Sequence, residues 1–245
     1  MLHGMNDPES HGYKDIAAFF DGWALYQKLL DGDAMFHQEL YRGLINQVAD
    51  SSGGKPLALL DLGCGNAAFM QPLLAGHPGM HYCGVDLSAV ALELARAMLD
   101  TMPLGYQLIQ ADMLQALRQL VAAGQTMDVI FSGYALHHLQ AVDKSALLQL
   151  AAQLLVPGGR FIIIDMFMAN GESRSRYLQA VDNYVRTHWI MLSAEEADAV
   201  MGHISGEDFP ETPDSLRAMA TAAGFAAAEQ VICRDRWFQL WVLQR

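Results

Sequence analysis

Lysine is scarce in this chain, cysteine scarcer still, and no long apolar run occurs. Only four of the 15 basic residues are lysines, and the arginines are scattered, with Arg174, Arg176 and Arg186 the nearest thing to a group. Against these stand 27 acidic residues, giving a net charge of -12 that repels phosphate backbones and anionic lipid headgroups. No nucleic-acid or membrane partner is expected. The three cysteines, Cys64, Cys83 and Cys233, are odd in number and lack metal-type spacing, so neither a disulfide framework nor a metal site is expected. The segment Met1 to Asp7 lacks a basic stretch leading into an apolar one, and no apolar run reaches the roughly 18 residues of a membrane span. A cytoplasmic location is therefore expected. Internal repeats and low-complexity tracts are also missing.

With 245 residues, 52% hydrophobic and 17% charged, the chain reads as one soluble globular domain. From residue 57 onward, short β-type apolar runs alternate with longer amphipathic stretches, the pattern of βαβ units and a parallel sheet. Strands are predicted at Leu57 to Leu62, Met80 to Asp86, Tyr106 to Ala111, Asp128 to Ser132 and Arg160 to Met166. Helices are predicted near 66–76, 88–101, 113–123 and 143–155, with Ser88 as an N-cap and Pro157-Gly158-Gly159 ending the fourth. A helix from Thr212-Pro213-Asp214 then leads to a strand at 226–233, and Trp237 to Leu243 follows after the short turn Arg234-Asp235-Arg236. Parallel strands need a long crossover, so these last two must pair antiparallel. The expected fold is α/β: a doubly wound seven-stranded sheet with a C-terminal antiparallel hairpin and helices on both faces, plus a helical cap. Residues 16–50 would form that N-terminal cap, 55–166 a cofactor-binding core, 171–211 a helical lid and 212–245 the last helix and hairpin.

The run Leu59-Leu60-Asp61-Leu62-Gly63-Cys64-Gly65-Asn66 reads as a strand, a glycine turn and a helix start, a place where backbone approaches a ligand. Asp86 lies 21 residues beyond Gly65, at the end of the second strand, where a carboxylate can accept from ribose hydroxyls. The glycines also satisfy the relaxed dinucleotide pattern, so charge must decide. Asp61 would repel a pyrophosphate but attract an amino group and a sulfonium, which favours S-adenosylmethionine over NAD or NADP.

Five segments together resemble the class I, Rossmann-like S-adenosylmethionine-dependent methyltransferases. They are Leu60 to Gly65, Gly84 to Ser88, Gln110 to Met113, Ala135 to Leu139 and Leu155 to Arg160, in the family's order. The resemblance implies that Asp61, Gly63, Cys64 and Gly65 hold the methionine part of the cofactor, and that Asp86 and Leu87 hold the ribose side. It further implies that Asp112 and Met113 hold the adenine, and that Ser132 and Gly133 line the cleft near the methyl group, with S-adenosylhomocysteine as product. Where the family usually has a third glycine this chain has Ala67, whose methyl would crowd the loop.

Methyl transfer from a sulfonium is an in-line displacement, helped mostly by alignment, with a base needed only if the acceptor carries a proton. His137 and His138 follow the fourth strand beside the expected methyl position, and adjacent residues there point in different directions, so one of them at most faces the acceptor. His37, His188 and His203 lie on the extra segments and read as packing or surface histidines. Those segments carry aromatic and methionine stripes: Phe19, Phe20, Trp23, Tyr26 and Leu30; Met35, Phe36 and Leu40; Tyr177, Tyr184, Trp189 and Met191. Such stripes either glue a cap to the core or line a pocket; Tyr26, Tyr134, Tyr184 and Trp189 are the expected pocket contacts for a small-molecule acceptor. The alternatives are an NAD(P)-dependent oxidoreductase and a non-catalytic S-adenosylmethionine-binding protein.

Overall fold

The computed structural model describes residues 24–52 and 56–245. Phe19, Phe20 and Trp23 of the first aromatic stripe lie outside the described residues. Helices α1 (Ala24–Asp31) and α2 (His37–Ser52) come first. The alternating core then runs β1 (Ala58–Leu62), α3 (Gln71–Gly76), β2 (His81–Asp86), α4 (Ala89–Leu99), β3 (Gly105–Gln110), α5 (Met113–Ala122), β4 (Met127–Gly133), α6 (Ala141–Leu154) and β5 (Leu155–Met166). Helices α7 (Arg174–His188), α8 (Ala194–Glu207) and α9 (Pro213–Ala223) precede the hairpin β6 (Ala227–Arg234) and β7 (Phe238–Gln244).

The seven strands lie in the order β3-β2-β1-β4-β5-β7-β6. The first five are parallel, and β7 runs antiparallel to both β5 and β6, with Ile163 opposite Trp241. Both faces are covered, so alternate residues of one strand feed different cores. Leu59, Val129, Phe131, Ile162 and Ile164 pack with α2, α3, α4, α7 and α8. Leu60, Leu62, Ile130, Phe161 and Ile163 pack with α5, α6 and α9. This is why the strands read as continuous apolar runs instead of alternating ones. In α2 the residues Leu40, Leu44 and Val48 are spaced by four and fully buried, one stripe of a helix pressed on the sheet.

The predicted helix over 66–76 is broken: a 3-10 turn, Ala68–Met70, precedes α3, and Pro72 falls in the first turn of that six-residue helix. The fifth strand starts earlier than predicted, because Leu155 pairs with Met127 before Pro157-Gly158-Gly159 bulges out and pairing resumes at Arg160. Strand order reverses between β1 and β4, whose neighbours β2 and β5 lie on opposite sides. In open α/β sheets the crevice beyond the carboxyl ends at that reversal is where ligands bind.

Candidate active site

A cleft of about 1070 Å³, its open mouth included, lies at that crevice. Its floor is the turn after β1. Gly63 has φ of 76°, and a Cβ there would come within 2.5 Å of the Ala135 methyl, so glycine is required on both counts. Gly65, with φ of 53°, has nothing within 4 Å of where its Cβ would be, so its exposed side is free for a ligand. Ala67, which the sequence suggested would crowd the loop, is instead a left-handed residue at φ 55° with a buried methyl. The left-handed conformation costs an alanine about 1–2 kcal/mol, but glycine there loses roughly 0.5–1 in chain entropy and about 0.8 in buried methyl. Ala67→Gly is therefore expected to leave urea-unfolding stability within about 1 kcal/mol of the parent, whereas Ala67→Val, β-branched at positive φ, should lower it by ~2 kcal/mol or more.

Three carboxyl groups line the cleft in different settings. Asp61, at the end of β1, is buried and accepts a hydrogen bond from the Tyr82 hydroxyl at 2.8 Å. Burial raises its pKa to about 7; the Tyr82 hydrogen bond pulls the other way and Asp86 adds to the rise. Asp86 accepts from the Gly65 amide at 2.8 Å through one oxygen and from the Ser88 amide at 2.8 Å through the other, so it ties the glycine turn to the start of α4. Ser88 in turn caps α4 by accepting from Ala91 N. Asp112 caps α5 through Oδ1, which accepts from Leu114 N at 2.9 Å and Gln115 N at 3.1 Å, while its buried Oδ2 has no hydrogen-bond partner among the described residues. An orphaned acceptor of this kind costs free energy unless a donor arrives.

Cys64, Leu87, Met113 and Gly133 also line the cleft, together with Tyr26, Tyr41 and Phe69. Ser132 does not share it: it is fully buried, and its hydroxyl donates to the Leu62 carbonyl at 2.9 Å, fastening β4 to β1. That placement corrects the expectation that Ser132 faces the cofactor. Tyr134, left-handed at φ 53°, swings its ring against His37 at 4.6 Å and donates its hydroxyl to the Met35 carbonyl, bridging the strand end to the N-terminal helices. His37 is a packing histidine, buried against Phe69, with burial lowering its pKa to about 3.

A second cavity of about 460 Å³ adjoins the first and shares Tyr26, Tyr134 and His138 with it. Its other walls are Leu29, Met35, His137, Met166, Trp189, Val200, His203, Ile204 and Asp208. Tyr184 is elsewhere, a correction to its expected pocket role: its hydroxyl donates to Asp235 at 2.5 Å and its ring stacks on His188 at 4.2 Å, sealing α7 onto the hairpin turn.

The two histidines after β4 differ. His137 Nδ1 lies 2.5 Å from Asp165 Oδ1, and its backbone amide donates to Asp165 Oδ2 at 3.0 Å. Burial opposes charge on the ring, but Asp165 and Asp208 outweigh it and raise the pKa to about 9. His138 borders both cavities, and burial followed by the neighbouring His137 holds its pKa below the usual value, against the opposing pull of Asp208. Asp208 Oδ1 lies 3.2 Å from His138 Nδ1, 3.6 Å from His203 Nε2 and 3.7 Å from His137 Nε2. Asp165, His203 and Asp208 carried no motif signal. Their relation to His137 and His138 exists only through tertiary structure.

Residues 59–159 match the methyltransferase domain family. Residues 59–159 are thus a methyltransferase domain, and the sheet around them has the class I methyltransferase fold. A methyltransferase of Bacillus cytotoxicus is 25% identical over 169 residues, covering 67% of this chain and 74% of that one. One of Bacillus mycoides is 24% identical over 170 residues, covering 68% and 74%. Among solved structures, the magnesium protoporphyrin IX methyltransferase of Synechocystis with bound S-adenosylhomocysteine shares the fold at a TM-score of 0.65 and 15% identity, covering 96% of this chain and 99% of that one. The apo S-adenosylmethionine-dependent methyltransferase SibL superposes at a TM-score of 0.57 and 18% identity; 86% of this chain aligns but spans only 55% of that protein's length.

The cofactor of this methyltransferase is S-adenosylmethionine, and the residues of the cleft fit it. An unsatisfied acceptor on Asp112 suits the adenine amino group, the open side of Gly65 leaves room for close approach, and Asp61, buried in the wall of the cleft, would serve as a counter-charge for a cationic ligand once ionised. Because Asp61 titrates near 7, it must lose its proton to act as that counter-charge. Affinity should therefore rise with pH through about 7, with the dissociation constant roughly tenfold weaker near pH 6 than near pH 8. Titration calorimetry over that range checks this, and Asp61→Asn is expected to flatten the dependence.

Proposed function

We propose that this methyltransferase methylates a small-molecule acceptor held in the second cavity, beneath residues 171–211. The observation that carries the reading is the junction of the two cavities at Tyr26, Tyr134 and His138. A cofactor in the first can there meet an acceptor in the second. The neighbouring solved structure named for magnesium protoporphyrin IX also favours a small-molecule acceptor. The acidic net charge of -12 counts against a nucleic-acid substrate.

When bound, S-adenosylmethionine supplies an activated methyl group on a sulfonium. In this reading Asp112 accepts from the adenine amino group, with Leu87 and Met113 along the ring and Asp86 at the ribose. Asp61 faces the amino acid part, and the backbone of Gly63, Cys64 and Gly65 packs beside it, with Gly133 near the reactive end. His138 contacts the acceptor, while His137 acts through the turn it anchors on Asp165. Met35, Met166 and Trp189 present an apolar wall to the acceptor and exclude water, which favours displacement at a charged sulfonium. Helices α7 and α8 act as the lid over it.

Radiolabelled cofactor tests this. The chain is incubated with a panel of phenols, thiols and amines, and in parallel with protein and RNA. Label is expected in the low-molecular-mass fraction; transfer confined to macromolecules overturns the reading. For an acceptor so found, Trp189→Ala is expected to raise KM roughly tenfold or more, through loss of an apolar wall, with a smaller change in kcat.

A further inference from the structure

His137 and His138 sit on the 3-10 turn Leu136–His138 after β4, His203 sits on α8, and Asp208 directly follows that helix. Folding brings all four side chains to one buried point at the inner wall of the second cavity. Asp208 Oδ1 is the hub of this cluster: three imidazole nitrogens face it, His138 Nδ1 at 3.2 Å, His203 Nε2 at 3.6 Å and His137 Nε2 at 3.7 Å.

Those spacings are informative. A tetrahedral ion with bonds of about 2.0–2.1 Å holds its ligand atoms roughly 3.3–3.4 Å from one another. Ligand atoms of His137, His138 and Asp208 all lie within 4.8 Å of one another. Nitrogen and carboxylate donors of this kind suit Zn²⁺ and its first-row neighbours better than Mg²⁺ or Ca²⁺. The orientation of His137 is a separate observation in the same direction. Its Nδ1 is engaged by Asp165, which fixes the ring and turns Nε2 toward Asp208, the carboxylate–histidine arrangement that usually supports a metal ligand from behind. The backbone is held as well: Phe209 N donates to the His137 carbonyl at 2.6 Å, so Asp208 and the histidine turn are joined whatever the lid does further out.

We propose that side-chain atoms of His137, His138 and Asp208 bind a divalent transition-metal ion such as Zn²⁺ at the inner wall of the acceptor cavity, with His203 Nε2 beside Asp208 as a flanking group. The histidine pair belongs to the core and Asp208 directly follows α8, so an ion here joins the lid to the strand end. Cysteine spacing gives no hint of it, because no cysteine takes part and 69 residues of chain lie between His138 and Asp208.

The test uses the whole chain, treated with chelator, and needs no acceptor, so its outcome is independent of whether the small-molecule reading holds. Co²⁺ is titrated while the visible absorption is followed, and Zn²⁺ content is measured after exchange into ion-free buffer. About one ion per chain is expected, with the intense visible bands of four-coordinate Co²⁺. Asp208→Asn and His138→Ala should each weaken binding by a hundredfold or more, and Asp165→Asn, a positioning change, by about 10- to 100-fold. His203 is the least buried side chain of the cluster, so His203→Ala serves as the variant least disruptive to the core; it should weaken binding by about tenfold. Unchanged S-adenosylmethionine affinity and circular dichroism verify that each variant is folded. Zinc below a tenth of an equivalent in the parent, or equal retention in the parent, Asp208→Asn and His203→Ala, overturns the proposal.

Discussion

Alanine in place of Asp86 is expected to weaken S-adenosylmethionine binding by roughly 1.5–3 kcal/mol, about 10- to 150-fold in the dissociation constant. Two contributions combine. The ribose loses a carboxylate acceptor in the proposed binding mode, and the glycine turn loses the bond from Gly65 N that holds it in position beside α4. Asp86→Asn separates them. An amide oxygen can still accept from one backbone amide, but its NH₂ end cannot accept from the other, so Asn should fall between the parent and Ala. Calorimetry with S-adenosylhomocysteine, which lacks the transferable methyl, measures both variants without turnover. An Asp86→Ala protein that binds as the parent does would remove Asp86 from the cofactor site.

Adjacent histidines should fail in different ways. His138→Ala is expected to lower kcat about a hundredfold while leaving cofactor affinity nearly unchanged, because His138 borders the second cavity, the proposed acceptor site, as well as the cleft. His137→Ala should register first in stability. It removes the partner of buried Asp165 and leaves that carboxylate in the core without its imidazole, a loss of about 3 kcal/mol or more for a pair of this kind. Chemical denaturation and steady-state kinetics on both proteins distinguish the two. If His137→Ala keeps full stability, or His138→Ala keeps full kcat, the two histidines do not divide anchoring and acceptor contact between them.

The sheet was legible because its information is local. Each parallel strand is an apolar run bounded by a turn, and the short spacing before Trp237 permits nothing but a hairpin. Asp61, Asp86 and Asp112 were legible for the same reason, since each stands at a strand end or helix start whose position the pattern fixes. What escaped was side-chain direction. Ser132 and Gly133 are neighbours at the end of β4, yet the alternation of a strand sends one into the β1 contact and leaves the other on the cleft. Tyr184 and Trp189 sit on one aromatic stripe, but Asp235 on the distant hairpin turn captures the first, while the second reaches the cavity past the end of α7. Convergence of His203 and Asp208 on the histidine turn depends on how α8 docks, and nothing in the local sequence of either element encodes that.

The placement of β7 has a consequence for synthesis. It is the last of the seven strands to be made, yet it lies between β5 and β6. From Met166 at the end of β5 to Phe238 at the start of β7 a ribosome must add 72 residues, roughly 4 to 14 s at ordinary elongation rates. During that interval the outer edge of β5, carrying Phe161, Ile162, Ile163 and Ile164, lacks its native partner strand. An apolar open edge is the feature that nascent chains use to pair with one another. The sheet therefore closes only at the end of translation of this segment, and crowded polysomes are where the chain is most exposed to misassembly.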